Sequence, residues 1–315
     1  MEVTFNIFRF NAQFDYTPRY QSYQLEVREN EVILDVLNRI KEDIDSTISY
    51  RRSCRHGICG SCAVKVNNKA VLACKENVYK LVETFGDALV VDPLDRRLAI
   101  KDLIVDKADF WRKYREIKPW QISEIASSPM SENLIPPAVV EWIEGADSCI
   151  ECGACYYSCP AVRVNERFLG PHALTKLFRF AADIRDTAAI ERLDTANIPA
   201  SGIWDCVKCM ECKVVCPKEI SPIDKITKLH LQSFVRSRAP NNPATRHSKV
   251  FLRSIEKRGR LDENAAVRYS LGLLALKHVK TALKMLRRKK LPKETAPIEK
   301  IDEVKKLIEI ARRNR

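Results

Sequence analysis

Arg51-Arg52-Ser53-Cys54-Arg55-His56-Gly57-Ile58-Cys59-Gly60-Ser61-Cys62, completed by Cys74, sets four thiols at intervals of x4, x2 and x11. That is the spacing of a plant-type [2Fe–2S] loop. Two further runs follow, Cys149-x2-Cys152-x2-Cys155-x3-Cys159-Pro160 and Cys206-x2-Cys209-x2-Cys212-x3-Cys216-Pro217. Both have the ligand spacing of two-cluster ferredoxins. The three groups use all 12 cysteines of the 315-residue chain, so no thiol is left for a disulfide or a nucleophile. One cluster of one type and two of another imply an electron conduit.

Iron in a cluster needs thiolates from several directions at short range, which three cysteines on a tight loop and a fourth from elsewhere supply. Gly57 and Gly60 let the backbone turn around the cluster and bring N–H groups to its sulfurs without a Cβ in the way. Such bonds and nearby positive charge raise the reduction potential, and Arg51, Arg52, Arg55 and His56 are candidates to supply the charge. In paired Cys-Pro runs the fourth cysteine ligates the other cluster. One [4Fe–4S] is therefore expected on Cys149, Cys152, Cys155 and Cys216, the other on Cys159, Cys206, Cys209 and Cys212. Pro160 and Pro217 turn the chain away after each crossing ligand. Zinc on four thiolates is the competing reading, disfavoured by the paired runs beside a plant-type group. The five histidines are scattered without a nucleophile or carboxylate partner and no Gly-rich phosphate loop is present, so no catalytic residue is assigned.

The composition is that of a globular chain with real cores, 45% hydrophobic. The opening Met1-Glu2-Val3-Thr4-Phe5 has no leader pattern, and free thiols fit a reducing, cytoplasmic compartment. No apolar stretch reaches the roughly 20 residues that cross a bilayer, so membrane association is expected to be peripheral. The net charge of +13 is concentrated at one end: residues 236–315 hold 23 Lys and Arg against 8 Asp and Glu, while the preceding residues net −2. A basic segment can meet nucleic acid, an anionic membrane or an acidic partner. Nucleic acid is disfavoured, because Phe251 and Tyr269 are the only Phe, Tyr or Trp residues there to stack on bases.

The expected fold class is α+β. An N-terminal β-grasp [2Fe–2S] ferredoxin domain (1–105) is followed by a connector (106–140), an all-α two-cluster ferredoxin domain (141–235) and a basic helical C-terminal extension (236–315). Val3, Phe5 and Ile7, then Tyr23, Leu25 and Val27, alternate as half-buried strands do. Val32, Val36, Leu37 and Ile40 have helical spacing within Glu31–Ile40. Ala63–Val66 and Ala70–Ala73 form a hairpin around Asn67-Asn68. In the connector, Phe110, Trp111, Tyr114 and Trp120 either seal two domains together or belong to a neighbouring core, ahead of Ser127-Ser128-Pro129 and Pro136-Pro137. The second Cys-Pro run repeats the first 57 residues on. In the extension, Gly259 is a break and Pro292 and Pro297 separate two helical stretches. Within 269–288, Leu276, Val279, Leu283 and Leu286 line one face of a basic amphipathic helix, with Lys277, Lys280, Lys284, Arg287 and Arg288 on the others. Packing on protein is the expected use of that helix, ahead of direct membrane contact.

The order of these segments resembles the iron–sulfur subunit of succinate dehydrogenase and fumarate reductase. The likeness rests on Cys54 to Cys62, on Asp92-Pro93-Leu94 through Ile100-Lys101-Asp102-Leu103, and on Lys118-Pro119-Trp120, and it covers about residues 1–235. It implies a flavoprotein partner whose FAD exchanges electrons with succinate or fumarate, and a relay of single electrons through three clusters to a second, membrane-associated partner on the cytoplasmic face.

Two departures refine the expectation. Most quinone-linked members lack a cysteine at the position of Cys209 and carry a [3Fe–4S] third cluster; here Cys209 implies [4Fe–4S], and [3Fe–4S] only if Cys209 is not a ligand. The Trp and His that flank the quinone in those members are absent from Ala161-Val162-Arg163-Val164 and from Val207. The extension, through Arg246-His247, Phe251-Leu252-Arg253 and Gly259-Arg260-Leu261, is similar to the C-terminal part of heterodisulfide-reductase-type iron–sulfur subunits. The resemblance thus implies a cysteine-rich or membrane-anchor partner and only indirect contact with quinone. A thiol-linked fumarate reductase or heterodisulfide-reductase-like complex is the alternative.

Overall fold

The computed structural model describes residues 1–124, 132–290 and 296–313, in two compact units, Met1–Arg236 and Ser237–Arg315. Ser127-Ser128-Pro129 and Pro292 lie outside the described residues. The first unit opens with strands β1 (Glu2–Arg9) and β2 (Arg19–Glu26), helix α1 (Ile33–Arg39), strands β3 (Ala63–Val66) and β4 (Lys69–Leu72), helix α2 (Val78–Phe85) and strand β5 (Ala88–Asp92). The strands form one sheet in the order β2-β1-β5-β3-β4, with β1 and β5 parallel and the other neighbours antiparallel.

The period-two pattern places Val3 opposite Leu25 and Phe5 opposite Tyr23. All four share a core with Ile33, Leu34, Val36 and Leu37 of α1, so a mixed sheet holds one helix in a β-grasp. The helix begins later than its apolar spacing suggests and continues as a π-turn, Ile40–Ile44, which keeps Ile40 buried. Asn67 and Asn68 both adopt left-handed backbone, at φ 46° and 67°. A two-residue turn with two positive φ values matches the twist of the flanking strands, and it sets the β3–β4 register.

A buried ion pair fixes the approach to the first cysteine loop. Arg9, at the end of β1, donates to Asp102 (3.0 Å), Asp45 (2.5 Å), Tyr23 (2.9 Å) and Thr47 (2.7 Å). Asp102, in the turn between strands β6 (Ala99–Lys101) and β7 (Ile104–Val105), also accepts from the backbone N–H groups of Phe10 and Ser49. Desolvation of both charges is offset because each is multiply hydrogen-bonded. The Asp92 side chain likewise accepts two bonds from Arg96 and one from Tyr20.

The rest of the unit is helical: α3 (Ala108–Glu116), α4 (Pro137–Ile143), α5 (Ala154–Tyr157), α6 (Pro160–Val164), α7 (Gly170–Ala181), α8 (Ala189–Ala196), α9 (Glu211–Val214) and α10 (Pro222–Val235). Phe110 of α3 is buried, stacked on His172 at 4.0 Å and set edge-on to Tyr156 at 5.4 Å. It joins the β-grasp core to α5 and α7. Trp120 takes no part in this seal, contrary to expectation: its side chain is 55% exposed. Its carbonyl is what matters, accepting from buried Arg192, which also holds the carbonyls of Ile117 and Lys118 and pairs with Asp186.

The second unit contains α11 (Pro243–Arg258), α12 (Glu263–Leu271), α13 (Val279–Arg287) and α14 (Ile301–Arg313). Gly259 caps α11 in the left-handed region. The expected single helix through 269–288 is interrupted. Gly272 takes φ 55° and ends α12, and a 3₁₀ turn, Gly272–His278, precedes α13. The glycine pays little for a conformation that stops the helix, an effect that apolar periodicity does not register. Among the described residues no helix is long and apolar enough to cross a membrane.

The first cysteine loop comes against the first Cys-Pro loop at Gly60. Its φ is +68°, and a Cβ there would lie 2.7 Å from the Ile150 carbonyl oxygen and 2.8 Å from Cys152 Cα. The [2Fe–2S]-type loop and the first Cys-Pro loop therefore touch through main chain. Gly60→Ala is expected to destabilise the loaded protein by roughly 3 kcal/mol or more, since backbone overlap adds to left-handed strain. Gly86→Ala, at φ +84° and ψ −177° with open space around it, should cost only the backbone strain, about 1–3 kcal/mol. Thermal unfolding of the two variants checks this; equal losses would mean that the Gly60 contact relaxes freely.

Candidate functional site

Residues 54–62 leave the segment anchored by Arg9 and lead into β3, while Cys74 follows β4, so the hairpin register carries the fourth thiol back to the loop. The N–H groups of His56 and Cys59 donate to Cys54 Sγ at 3.4 and 3.3 Å, and that of Gly57 donates to Cys74 Sγ at 3.3 Å. Burial pushes the Cys62 thiol up to about 12, with Cys74 and Cys59 adding to the shift. Cys59 moves the other way, to about 6: burial opposes the shift, but hydrogen bonds from Ser61 and Cys54 outweigh it.

The two Cys-Pro loops share two left-handed positions. Glu151 and Lys208, counterparts in the repeat, are left-handed at φ 51° and 55°, and so are Gly153 and Met210 at 93° and 67°. Each loop then enters a single helical turn, α5 or α9. Alternation of hand points successive N–H groups to one side, a nest suited to anionic sulfur. The Glu151 amide bonds Cys149 and the Lys208 amide bonds its counterpart Cys206. Three non-glycine residues in this conformation at paired positions mark a site that over-determines its backbone.

One cavity is lined by Cys149, Cys152, Cys155 and Cys216, with apolar Ile150, Ala154 and Pro222. A second is lined by Cys159, Cys206, Cys209 and Cys212, with Phe168, Ile223 and Ile226. Each run therefore contributes three thiols to one cavity and its Cys-Pro thiol to the other. Burial raises the Cys149, Cys152, Cys155, Cys159 and Cys206 thiols, and it carries Cys212 to about 12. Thiols so raised need cationic metal to become thiolates, with proton release on loading. Among the described residues no three His, Cys, Asp or Glu side chains are gathered as a single metal ion would require. Thiols around an apolar cavity, met by amide donors, fit iron–sulfur clusters.

Of the cations expected beside these sites, Arg51 lies near enough to Lys107 to act on it. Arg52 turns to Asn38 and Glu42 of the α1 region, so its charge is partnered away from the loop; Arg55 and His56 are exposed. Lys107 was not legible in the sequence. Its Nζ donates to the carbonyls of Glu151 (3.3 Å) and Cys152 (3.2 Å) and sits over the Phe110 ring at 5.1 Å. Burial lowers its pKa, while the Cys152 and Cys59 thiols act to raise it, so one ammonium lies in the field of two cysteine groups. Its position just after β7 carries no local motif. His172 and His230 are buried and bond the carbonyls of Phe110 and Ile203; desolvation holds them at about 3 and about 4, hence neutral. Cys209 is exposed, as are Val207, Met210 and Val214 around it, so the second cavity lies at the surface.

Comparison with known proteins agrees with this geometry. A family model described as a 2Fe-2S iron-sulfur cluster binding domain matches residues 4–112, and one described as a 4Fe-4S dicluster domain matches residues 145–220. The succinate dehydrogenase iron-sulfur subunit of Coxiella burnetii is 36% identical over 233 residues, 73% of this chain and 96% of that one. The fumarate reductase iron-sulfur subunit of Haemophilus influenzae is 33% identical over 238 residues, 72% and 91% of the two chains. A chain of the Mycobacterium smegmatis Sdh1 complex in the apo form aligns with a TM-score of 0.66 at 25% identity, over 76% of this chain and 98% of that one. The chain belongs to the iron–sulfur subunits of succinate dehydrogenases and fumarate reductases, the electron-transfer components of those oxidoreductases.

Proposed function

We propose that this subunit relays single electrons between a flavoprotein carrying FAD, where succinate and fumarate interconvert, and a second partner at the cytoplasmic face of the membrane. The proposed ligands are Cys54, Cys59, Cys62 and Cys74 for a [2Fe–2S] cluster, Cys149, Cys152, Cys155 and Cys216 for one [4Fe–4S], and Cys159, Cys206, Cys209 and Cys212 for another. Bound there, the clusters supply one-electron carriers; the chain supplies spacing, ligation and electrostatics. The observation that carries the reading is the crossed lining of the two cavities, which gives each a full set of four thiols.

The residues account for an ordered path. Main-chain contact between Gly60 and Ile150–Cys152 brings the first two sites together, and tunnelling weakens steeply with distance. Lys107 stabilises added negative charge at both, without bonding either thiol. Cys159 and Cys216 tie the second and third sites through the exchanged loops. The exposed third site, with Val207 and Met210 beside Cys209, is the proposed point of transfer to the second partner. The absence of His at 207 and of Trp in 161–164 favours a cysteine-rich partner over direct quinone contact.

Cys209→Ser is expected to convert the third cluster to a three-iron form, losing about one iron per chain and giving an oxidised [3Fe–4S] resonance in electron paramagnetic resonance. An unchanged spectrum would remove Cys209 from the ligand set. Lys107→Met should lower the potentials of the first two clusters by on the order of tens of mV, because a desolvated cation is lost from their field. Lys107→Arg should restore them. Spectroscopic redox titration checks both, and potentials unmoved by Lys107→Met would confine that residue to packing.

A further inference from the structure

From Gly272 to Lys290 the chain carries Lys277, Lys280, Lys284, Arg287, Arg288, Lys289 and Lys290 and no acidic residue. No residue in this span is buried. Leu273, Leu276, Val279, Leu283 and Leu286 are exposed large apolar side chains, Leu273 at 87% and Leu276 at 69%. Apolar exposure here coincides with unmixed positive charge along the whole span, and no side chain in it is buried, whereas α11 buries Thr245, Val250 and Ser254. By contrast, α14 interleaves Asp302, Glu303 and Glu309 with its lysines.

The sequence order sets the two properties side by side. Leu276-Lys277, Val279-Lys280, Leu283-Lys284 and Leu286-Arg287 each pair an apolar residue with a cation one position on. Within α13, one position is a rotation of about 100°, so an apolar stripe runs along the helix with a cationic stripe at its border. A bilayer interface presents the complement, acyl chains beneath a continuous border of phosphates, and it asks for no residue-by-residue match. Lysine and arginine stems can follow the apolar surface while their charges stay at the headgroups. A protein groove would be expected to select some carboxylates for register, and there are none. Clusters of four to eight basic residues on an amphipathic helix suit anionic lipid, each contributing about five-fold in affinity near the surface.

We infer that α13 and the turn before it form a membrane-docking surface, with the Leu276–Leu286 stripe seated in the interface of an anionic lipid bilayer. This holds whether or not the cluster assignments above are correct. The test uses the full cluster-loaded chain, sedimented with phosphatidylcholine vesicles with and without phosphatidylglycerol, at low and high salt. Binding is expected only to the anionic vesicles, weakening as salt screens it. Lys280→Ala/Lys284→Ala should weaken it about 25-fold, and Leu276→Gln/Leu283→Gln by about ten-fold or more per leucine, with unchanged helical circular dichroism as the control for folding of the second unit. Binding indifferent to phosphatidylglycerol, or absent, would overturn the proposal. So would binding that the lysine pair abolishes and the leucine pair leaves untouched, which is attachment by charge alone. If the chain ignores vesicles while the purified complex shields Lys280 and Lys284 from acetylation, a protein partner covers the face and the lipid assignment falls.

Discussion

Thiols that line apolar cavities cannot hold negative charge unaided, and the helical half of the first unit is organised around meeting that demand. Burial raises most of them. The backbone answers with left-handed residues at Glu151, Lys208 and Met210, where side chains ordinarily disfavour that conformation, so that amide dipoles point inward. Iron held by these thiols would complete the neutralisation, and metal loading and folding of these loops would then be coupled. Because Cys159 and Cys216 serve the cavity formed by the opposite run, either site is incomplete unless both runs are in place.

The β-grasp part works differently. Its sheet is assembled by apolar alternation and a two-Asn turn, and its loop is aimed by the buried Arg9–Asp45–Asp102 network. Of the residues of the family likeness, Asp102 thus steers the segment that leads into the first cysteine loop, while Asp92 ties Tyr20 of β2 to Arg96. Contact at Gly60 and the ammonium of Lys107 then couple that loop to the neighbouring site.

What could be read from the sequence was local. Cysteine intervals report ligand geometry within one turn of chain, period-two runs report strands, and Asn67-Asn68 reports a turn, because in each case the responsible residues are neighbours. What could not be read was set by distance along the chain. Arg52 meets Asn38 and Glu42 in place of the cluster loop, Lys107 reaches carbonyls more than forty positions away, and Trp120 matters through its carbonyl. The break at Gly272 escaped because the leucine spacing beyond it still has helical period.

The central claim is that twelve thiols are divided into one two-iron and two four-iron sites, with the Cys-Pro ligands exchanged. Mössbauer spectroscopy of anaerobically purified protein, grown on isotopically enriched iron, tests it most directly. The account predicts [2Fe–2S] and [4Fe–4S] iron in a ratio of about one to four, with no three-iron component before exposure to air. A native [3Fe–4S] component, or a ratio of about one to two such as zinc in place of one four-iron cluster would leave, would contradict it.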